Sequence, residues 1–413
     1  MADPAARFSV QGEFMNSNDG RAATSRRFRI AVVLALTIAI GPFAVDTYLP
    51  AFPVLAVDLG VSVHEVSLSI AMYVFMLALG QLVAGPLSDR LGRQVVMLAG
   101  MGVFAVASAF IATIDSLAGL LGWRMVQAFG GGAATVCVPA LVRDHMSGQS
   151  AAKFFSLIGL VMIIAPAIAP TLGTLLLAGF GWPSIFVFTS LYALVVIVLL
   201  RRVVFRHIEP RHGAHATKIS VWRRYVFVLS TRPALRYIAL QSLSFTILML
   251  FVTHASFIYQ GHFGASAALF ALLFAANVLV MMVLNLANRW LLHRFESVRV
   301  LRWAVSLQAG GIVLMGFMLW WAPGLWTLVP GVMVTVGAMG AISPNNQACY
   351  MDYFHLHGGT AAALMGAAQF AIGGLIGGAS SLLPESVAAV IAMQGGCALV
   401  CLALVWTRGA RAA

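Results

Sequence analysis

The chain has 413 residues, of which 61% are apolar and 9% charged, and its mean hydropathy is +0.93. Soluble domains carry roughly 25% charged residues, and a water-soluble protein of this size has no means of covering so much apolar surface. Soluble enzymes, nucleic-acid binders and disordered chains are therefore excluded, and the net charge of +12 is read as the cytoplasmic bias of a membrane protein.

Residues 1–29 form a polar, basic tail. Within it 1–14 (MADPAARFSVQGEF) read as the remnant of an expression tag, with Met15 as candidate start. Twelve apolar segments follow, at about 30–49, 66–87, 95–113, 117–142, 154–179, 184–203, 236–258, 267–289, 301–320, 326–350, 359–382 and 387–406. Each approaches the roughly 20 residues that a helix needs to cross a bilayer. Spans one to six make an N-terminal six-helix bundle (30–203), and a basic cytoplasmic linker covers 204–235. Spans seven to twelve make a second bundle (236–406), and 407–413 form a C-terminal tail. The expected architecture is an all-α integral membrane protein of two pseudo-symmetric bundles. Asp89-Arg90 after span two is echoed by Asn288-Arg289 after span eight, a degenerate trace of that repeat.

All of the 25 Lys and Arg residues except Arg124 fall in a tail, in a connection or at the adjoining span end on the same side as both termini. This asymmetry predicts a multi-pass protein with both termini cytoplasmic. Trp182, Trp320, Trp321 and Trp326 fall at predicted outer ends and Trp290, Trp303 and Trp406 at inner ends, as in an interfacial belt. The four cysteines lie in apolar stretches without metal spacing or a disulfide framework, so no metal site is expected. No HExxH, CxxC, paired acids or nucleotide loop is present, and no catalytic residue is expected.

Two ionisable residues sit where hydrocarbon should be. Asp46 lies about 24 Å, and Arg124 about 27 Å, from the inner end of its span at 1.5 Å per residue. An ion in hydrocarbon costs at least ~2.5–3.5 kcal/mol, so each should face a cavity or a partner. Their matched height makes pairing geometrically feasible; snorkelling to the outer surface is the alternative. A carboxylate in a cavity that opens and closes is a natural proton carrier, since desolvation and a nearby cation shift its proton affinity in opposite directions. Tyr48 and Gln127, close in sequence to these charges, are candidates for lining the cavity.

Span five carries Ala165-Pro166-Ala167-Ile168-Ala169-Pro170-Thr171-Leu172-Gly173, where Pro166, Pro170 and Gly173 predict a bent helix packed closely on a neighbour. The glycines of span eleven (Gly366, Gly373, Gly374, Gly377 and Gly378) read as a packing face. Gln241 and His254 in span seven, Asn277 in span eight, and Asn345 and Asn346 in span ten either line a polar cavity or tie helices together. His254 alone reads more readily as a satisfied structural group.

Four motifs carry a resemblance. Gly85-Pro86-Leu87-Ser88-Asp89-Arg90-Leu91-Gly92-Arg93 resembles motif A of the major facilitator superfamily. Leu121-Gly122-Trp123-Arg124-Met125-Val126-Gln127-Ala128-Phe129-Gly130 resembles motif B, with Ala128 in place of the usual glycine. Asp46-Thr47-Tyr48-Leu49-Pro50-Ala51-Phe52-Pro53 is similar to the drug-exporter motif D. The span-five segment resembles the antiporter motif C, with Ala165-Pro166 for its Gly-Pro. With Arg143-Asp144 after span four, the set resembles the Bcr/CflA subgroup of twelve-span drug:proton antiporters. The resemblance implies the major facilitator fold, with Asp46 and Arg124 as proton-coupling residues. It makes Gly85, Asp89, Arg90, Gly92 and Arg93 a conformational switch, in which Asp89 meets the N-terminus of span eleven in the outward-facing state. It implies a monomer in the bacterial inner membrane that binds a small molecule and no nucleic acid, with protons as coupling ion and no other cofactor. The expected function is proton-coupled efflux of amphiphilic drugs such as chloramphenicol- or bicyclomycin-like compounds. The alternative is a dedicated exporter of one metabolite, such as a siderophore, sugar or amino acid.

Overall fold

The computed structural model describes residues 17–145, 148–206, 221–354, 358–380 and 382–407, and these are helices and short connections with no strand among them. Span one is α1 (Ser17–Asp46), continued by a 3-10 turn (Leu49–Ala51) and the short α2 (Phe52–Leu59). Pro50 and Pro53 lie in the first turns of these last two pieces, where a missing N–H costs nothing. Span two (Val63–Leu91) begins at a capping box. Ser62 Oγ accepts from the Glu65 N–H at 3.2 Å, and the Glu65 carboxylate accepts from the Ser62 N–H at 2.8 Å. It ends at Gly92, whose φ of +91° suits a residue without Cβ.

Spans three to six are Arg93–Ile111, Leu117–His145, Gly148–Phe180 and Pro183–Leu199, the last extended by a π-helical turn at Leu200–Val204. A linker helix, Val221–Ser230, precedes span seven (Arg232–Ser256), which runs on into a π-helical segment, Phe257–His262. Spans eight, nine, eleven and twelve are Ala267–Leu291, Ser297–Trp321, Gly358–Ser380 and Val387–Trp406. Span ten is made of two helices, Leu325–Gly337 and Met339–Met351. Among the described residues eleven helical segments are long and apolar enough to cross a membrane, and span five adds the apolar helix Ile164–Phe180.

The two halves repeat one packing scheme. Span one packs on five, two on four and three on six; correspondingly, seven packs on eleven, eight on ten and nine on twelve. Across the halves, two packs on eleven and five on eight. The start of span one, the close of span six and the close of span twelve lie at one end, the terminal end: Arg302 at the start of span nine donates to the Val405 carbonyl at the close of span twelve, 3.2 Å away.

The buried apolar side chains divide unequally. At the end opposite the termini one continuous cluster joins the halves, with Tyr48, Phe52, Val66 and Ile70 from one and Phe251, Ile258, Tyr259 and Phe270 from the other. Toward the terminal end there are two clusters, each built of buried residues from a single half. The halves are thus sealed together at the far end and independently packed at the terminal end. At the seam Gly374 of span eleven lies against the Phe75 backbone of span two, too close for a side chain between them.

Trp182 departs from the expected belt. It is buried, and its indole N–H donates to Asp58 Oδ2 at 2.7 Å, tying span six to α2. Trp290, Trp303, Trp320, Trp321, Trp326 and Trp406 are exposed, as an interfacial role requires.

Candidate functional site

Arg124 is completely buried in the N-terminal half. One guanidinium nitrogen, Nη1, donates to the Ala44 carbonyl at 3.0 Å and to Gln127 Oε1 at 2.6 Å. Gln127 in turn donates to Ser108 Oγ at 2.7 Å, so spans one, three and four are tied through one cation. The guanidinium lies 4.3 Å from the Tyr73 ring centroid and 5.0 Å from that of Tyr48. Two aromatic faces thereby take the place of a counter-ion. Tyr48 is itself held by Ser69 at 2.9 Å.

Asp46 is 6% exposed, and neither a hydrogen bond nor a charged partner engages its carboxylate among the described residues. The side-chain pair with Arg124 is not formed. The sole ion pair among the described residues is Asp89–Arg93, at 2.5 Å. The height inferred from the sequence is right, since Arg124 reaches the carbonyl two residues before Asp46. However, Asp46 is the last residue of α1. The chain turns there, and the Tyr48 ring rather than the Asp46 carboxylate covers the guanidinium. Neither charge faces lipid.

Span five fixes this turn. A Cβ on Gly173 would collide with the Thr47 carbonyl, so glycine alone lets the two backbones meet. Pro166 and Pro170 lie within a helix that runs without a break from Gly148 to Phe180. Thr174, just beyond, donates to its own Pro170 carbonyl at 2.9 Å and to the Ala267 carbonyl of span eight at 3.3 Å.

The second polar site lies in the C-terminal half and is neutral. Gln241 Nε2 donates to Ser343 Oγ at 2.9 Å and to Gln369 Oε1 at 3.0 Å. Asn346 Nδ2 donates to the Tyr237 carbonyl at 2.9 Å and to Gln241 Oε1 at 3.3 Å, and Asn346 Oδ1 is buried without a partner. Spans seven, ten and eleven are thereby linked. Asn345 serves a different purpose, donating to Asn288 Oδ1 and to its own helix at Ala341; it ties span ten to span eight. Asn277 is buried with neither amide atom hydrogen-bonded, within the apolar far end. His254 binds Ser380 Oγ through Nε2 at 2.8 Å.

At the terminal end Asp89 is exposed and pairs with Arg93, which also binds Ser88. Arg90 is exposed, and open space surrounds the position a Cβ would take at Gly85. The linker helix packs against span eleven and brings Tyr225 near Asp89. Burial, and then the Asp89 carboxylate, push the Tyr225 phenol above its ordinary value. Among the described residues no hydrogen bond or ion pair joins Asp89 to the start of span eleven at Gly358-Gly359-Thr360; the Arg143 and Asp144 side chains lie outside the described residues.

The sequence reading missed Tyr73, Ser108 and Gln369. A tyrosine or glutamine inside a long apolar helix gives no indication of which side it faces.

Two repeats of six helices, with buried polar groups inside and apolar side chains outside, define a helical membrane transporter. The chain matches the Major Facilitator Superfamily over residues 34–378, and it belongs to that family, whose members are transporters and not enzymes. It is 29% identical over 376 residues to a bicyclomycin resistance protein homolog of Haemophilus influenzae, covering 90% of this chain and 94% of that one. It is 28% identical to a chloramphenicol resistance protein of Pseudomonas aeruginosa, covering 88% of each, and 28% identical to the multidrug resistance protein MdtL of a Shewanella species, covering 79% and 82%. These relatives bear out the Bcr/CflA resemblance. Among solved structures it is similar to a D-xylose-proton symporter (TM-score 0.73, 14% identity, 92% and 97% covered). It is also similar to a nucleoside transporter, NupG (0.71, 11%, 92% and 98%). At those identities the likeness shows the fold.

Proposed function

We propose that the chain is a proton-coupled multidrug efflux transporter of the bacterial inner membrane, exporting small amphiphilic compounds by alternating access. The names of its drug-resistance relatives support the substrate class. The one-sided distribution of Lys and Arg supports placing the terminal end in the cytoplasm. On that orientation the apolar cluster joining the halves is an outer seal, and the conformation is inward-facing. The exposed Asp89–Arg93 pair fits a motif A switch released in this state.

The observation that carries the coupling is Asp46, a carboxylate at membrane depth that is nearly buried and has no partner. Such a group stays in a protein when it carries protons. Asp46 takes a proton from outside while the seal is open and gives it up inside. Arg124 does not neutralise it directly. Through the Ala44 carbonyl it anchors the last turn of α1, so movement of span one against span four changes the surroundings of Asp46. The Gln241, Ser343, Gln369 and Asn346 network offers hydrogen-bonding groups to cargo, and Tyr48 and Gln127 hold the cation in place. The transporter works as a monomer, with protons as coupling ion and no resident cofactor.

A second reading, export of one dedicated polar metabolite, is favoured by the density of amides in that network. The two separate in proteoliposomes with an imposed pH gradient and a panel of chloramphenicol-like, cationic-dye and sugar or amino-acid substrates. Uptake of several unrelated amphiphiles supports multidrug export. Uptake of a single polar compound supports the dedicated exporter, and no flux of any kind contradicts both.

A further inference from the structure

His64 and His254 belong to opposite halves and take no part in the site above. They meet at the far-end seam, their rings stacked with centroids 5.3 Å apart and planes 21° apart. Both are buried, at 7% and 1% exposure. Phe257 closes the side of His64, edge-on at 6.4 Å.

The hydrogen bonds assign the tautomer of His254. Ser380 has a single hydroxyl proton and spends it on the Gly377 carbonyl at 2.6 Å. Its oxygen is therefore the acceptor for His254 Nε2–H at 2.8 Å. The bare nitrogen is then Nδ1, which is buried with no hydrogen-bond partner. An unsatisfied imidazole lone pair in an apolar seam is a proton acceptor waiting for water.

No carboxylate forms an ion pair with His254 among the described residues, and Glu65, the neighbour of His64 in the chain, lies near enough to act on that ring electrostatically. On the elements packed around the pair, the titratable groups are Glu65, engaged by Ser62; Asp58 on α2, engaged by Trp182; His262, stacked edge-on with Phe263; and Glu385, exposed beyond span eleven. Two imidazolium rings at the observed separation would repel inside a low-dielectric cluster, and a charged ring kept from water is costly. The protonated pair therefore fits parted halves, and the neutral pair fits closed ones.

We propose that His64 and His254 form a second proton-binding site, on the seam between the halves, and that its protonation from the outer side parts the seal. The proposal rests on the reading of the chain as a proton-driven exporter with its terminal end in the cytoplasm. The proton comes from outer water onto the Nδ1 lone pair, and no other bond changes. Because the open state binds more protons than the closed one, acid outside shifts the population toward open. Asp46 then couples transport to protons, and the histidines decide when the outer face opens.

The test uses the full chain in lipid nanodiscs with spin labels at two exposed outer positions, Val57→Cys and Leu382→Cys, followed by pulsed distance measurement from pH 8 to pH 5. In the otherwise unaltered protein the distance should lengthen as the pH falls from 8 to 5. His64→Phe with His254→Phe keeps stacked rings and should abolish the shift, whereas Asp46→Asn should retain it. The same lengthening in the double phenylalanine protein overturns the proposal. If that protein does not fold, histidine C2-hydrogen exchange on the unaltered chain decides: the rate at His254 should change with pH over the range in which the distance lengthens, and a rate that does not follow the distance overturns the proposal. The measurement needs no substrate, so failure of proton-driven transport would count against the export reading and leave this one standing.

Discussion

The two halves share a packing scheme but not a chemistry. Among the described residues both buried side chains of the Asp, Glu, Lys and Arg set, Asp46 and Arg124, are in the N-terminal half. The C-terminal half fills its interior with Gln241, Asn345, Asn346 and Ser343, neutral groups that bond to other amides, to a hydroxyl and to the backbone, with Asn345 Oδ1 and Asn346 Oδ1 left over as buried acceptors. The repeat diverges even where its motif echoes: Asp89 is exposed and ion-paired, whereas Asn288 is buried and accepts from Asn345. A buried charge responds to protons and a buried amide does not. On the proposed function, the division puts the transport-coupling carboxylate in one half and the groups offered to cargo in the other.

The strongest way to break this contrast is to remove the buried cation. Arg124→Ala leaves the Ala44 carbonyl and Gln127 Oε1 without their donor and two ring faces without a guanidinium. The expected cost is about 3 kcal/mol or more, read as a lower apparent Tm in detergent, together with loss of transport. Arg124→Lys should fold better yet transport poorly, because a point charge cannot hold one carbonyl and one amide while lying flat between rings. Equal stability of Arg124→Ala and the unaltered protein would count against the guanidinium as the organiser of spans one, three and four.

Tyr73 separates ring face from hydroxyl. Tyr73→Leu removes one aromatic face and should cost about 1–2 kcal/mol, whereas Tyr73→Phe should lie within about 0.5 kcal/mol of the parent in the same thermal assay. In the other half, Asn346→Ala removes two hydrogen bonds, each worth about 1 kcal/mol. It should change KM about threefold to tenfold for cargo that binds the amide network, with the dependence on the pH gradient intact. A change in that dependence would put coupling in both halves. The smallest effect on stability is expected at Asp89. Its pair is exposed, so Asp89→Asn should change stability by less than about 1 kcal/mol while slowing transport cycles.

Much of this was legible because charge and hydropathy are one-dimensional signals. Cationic residues count connections, and 1.5 Å per residue converts sequence into depth. That arithmetic brought Arg124 to within two residues of Asp46. It carries no azimuth, so it predicted a side-chain pair where a turn at Thr47 and the Tyr48 ring intervene. The same blindness concealed Tyr73 and Gln369, and it left Trp182 in the belt although its indole faces Asp58. Contacts between halves were the least legible. His64 and His254 are 190 positions apart in the chain and meet only because spans two and seven close on each other.

The most direct test of the central claim compares two modes of transport by Asp46→Asn in proteoliposomes. Without a gradient, exchange of labelled for unlabelled substrate should persist, because the proposed function assigns recognition to the other half. With an imposed pH gradient, accumulation should fall to the level of simple exchange. Full gradient-driven accumulation by this variant would contradict the account and remove Asp46 from proton coupling.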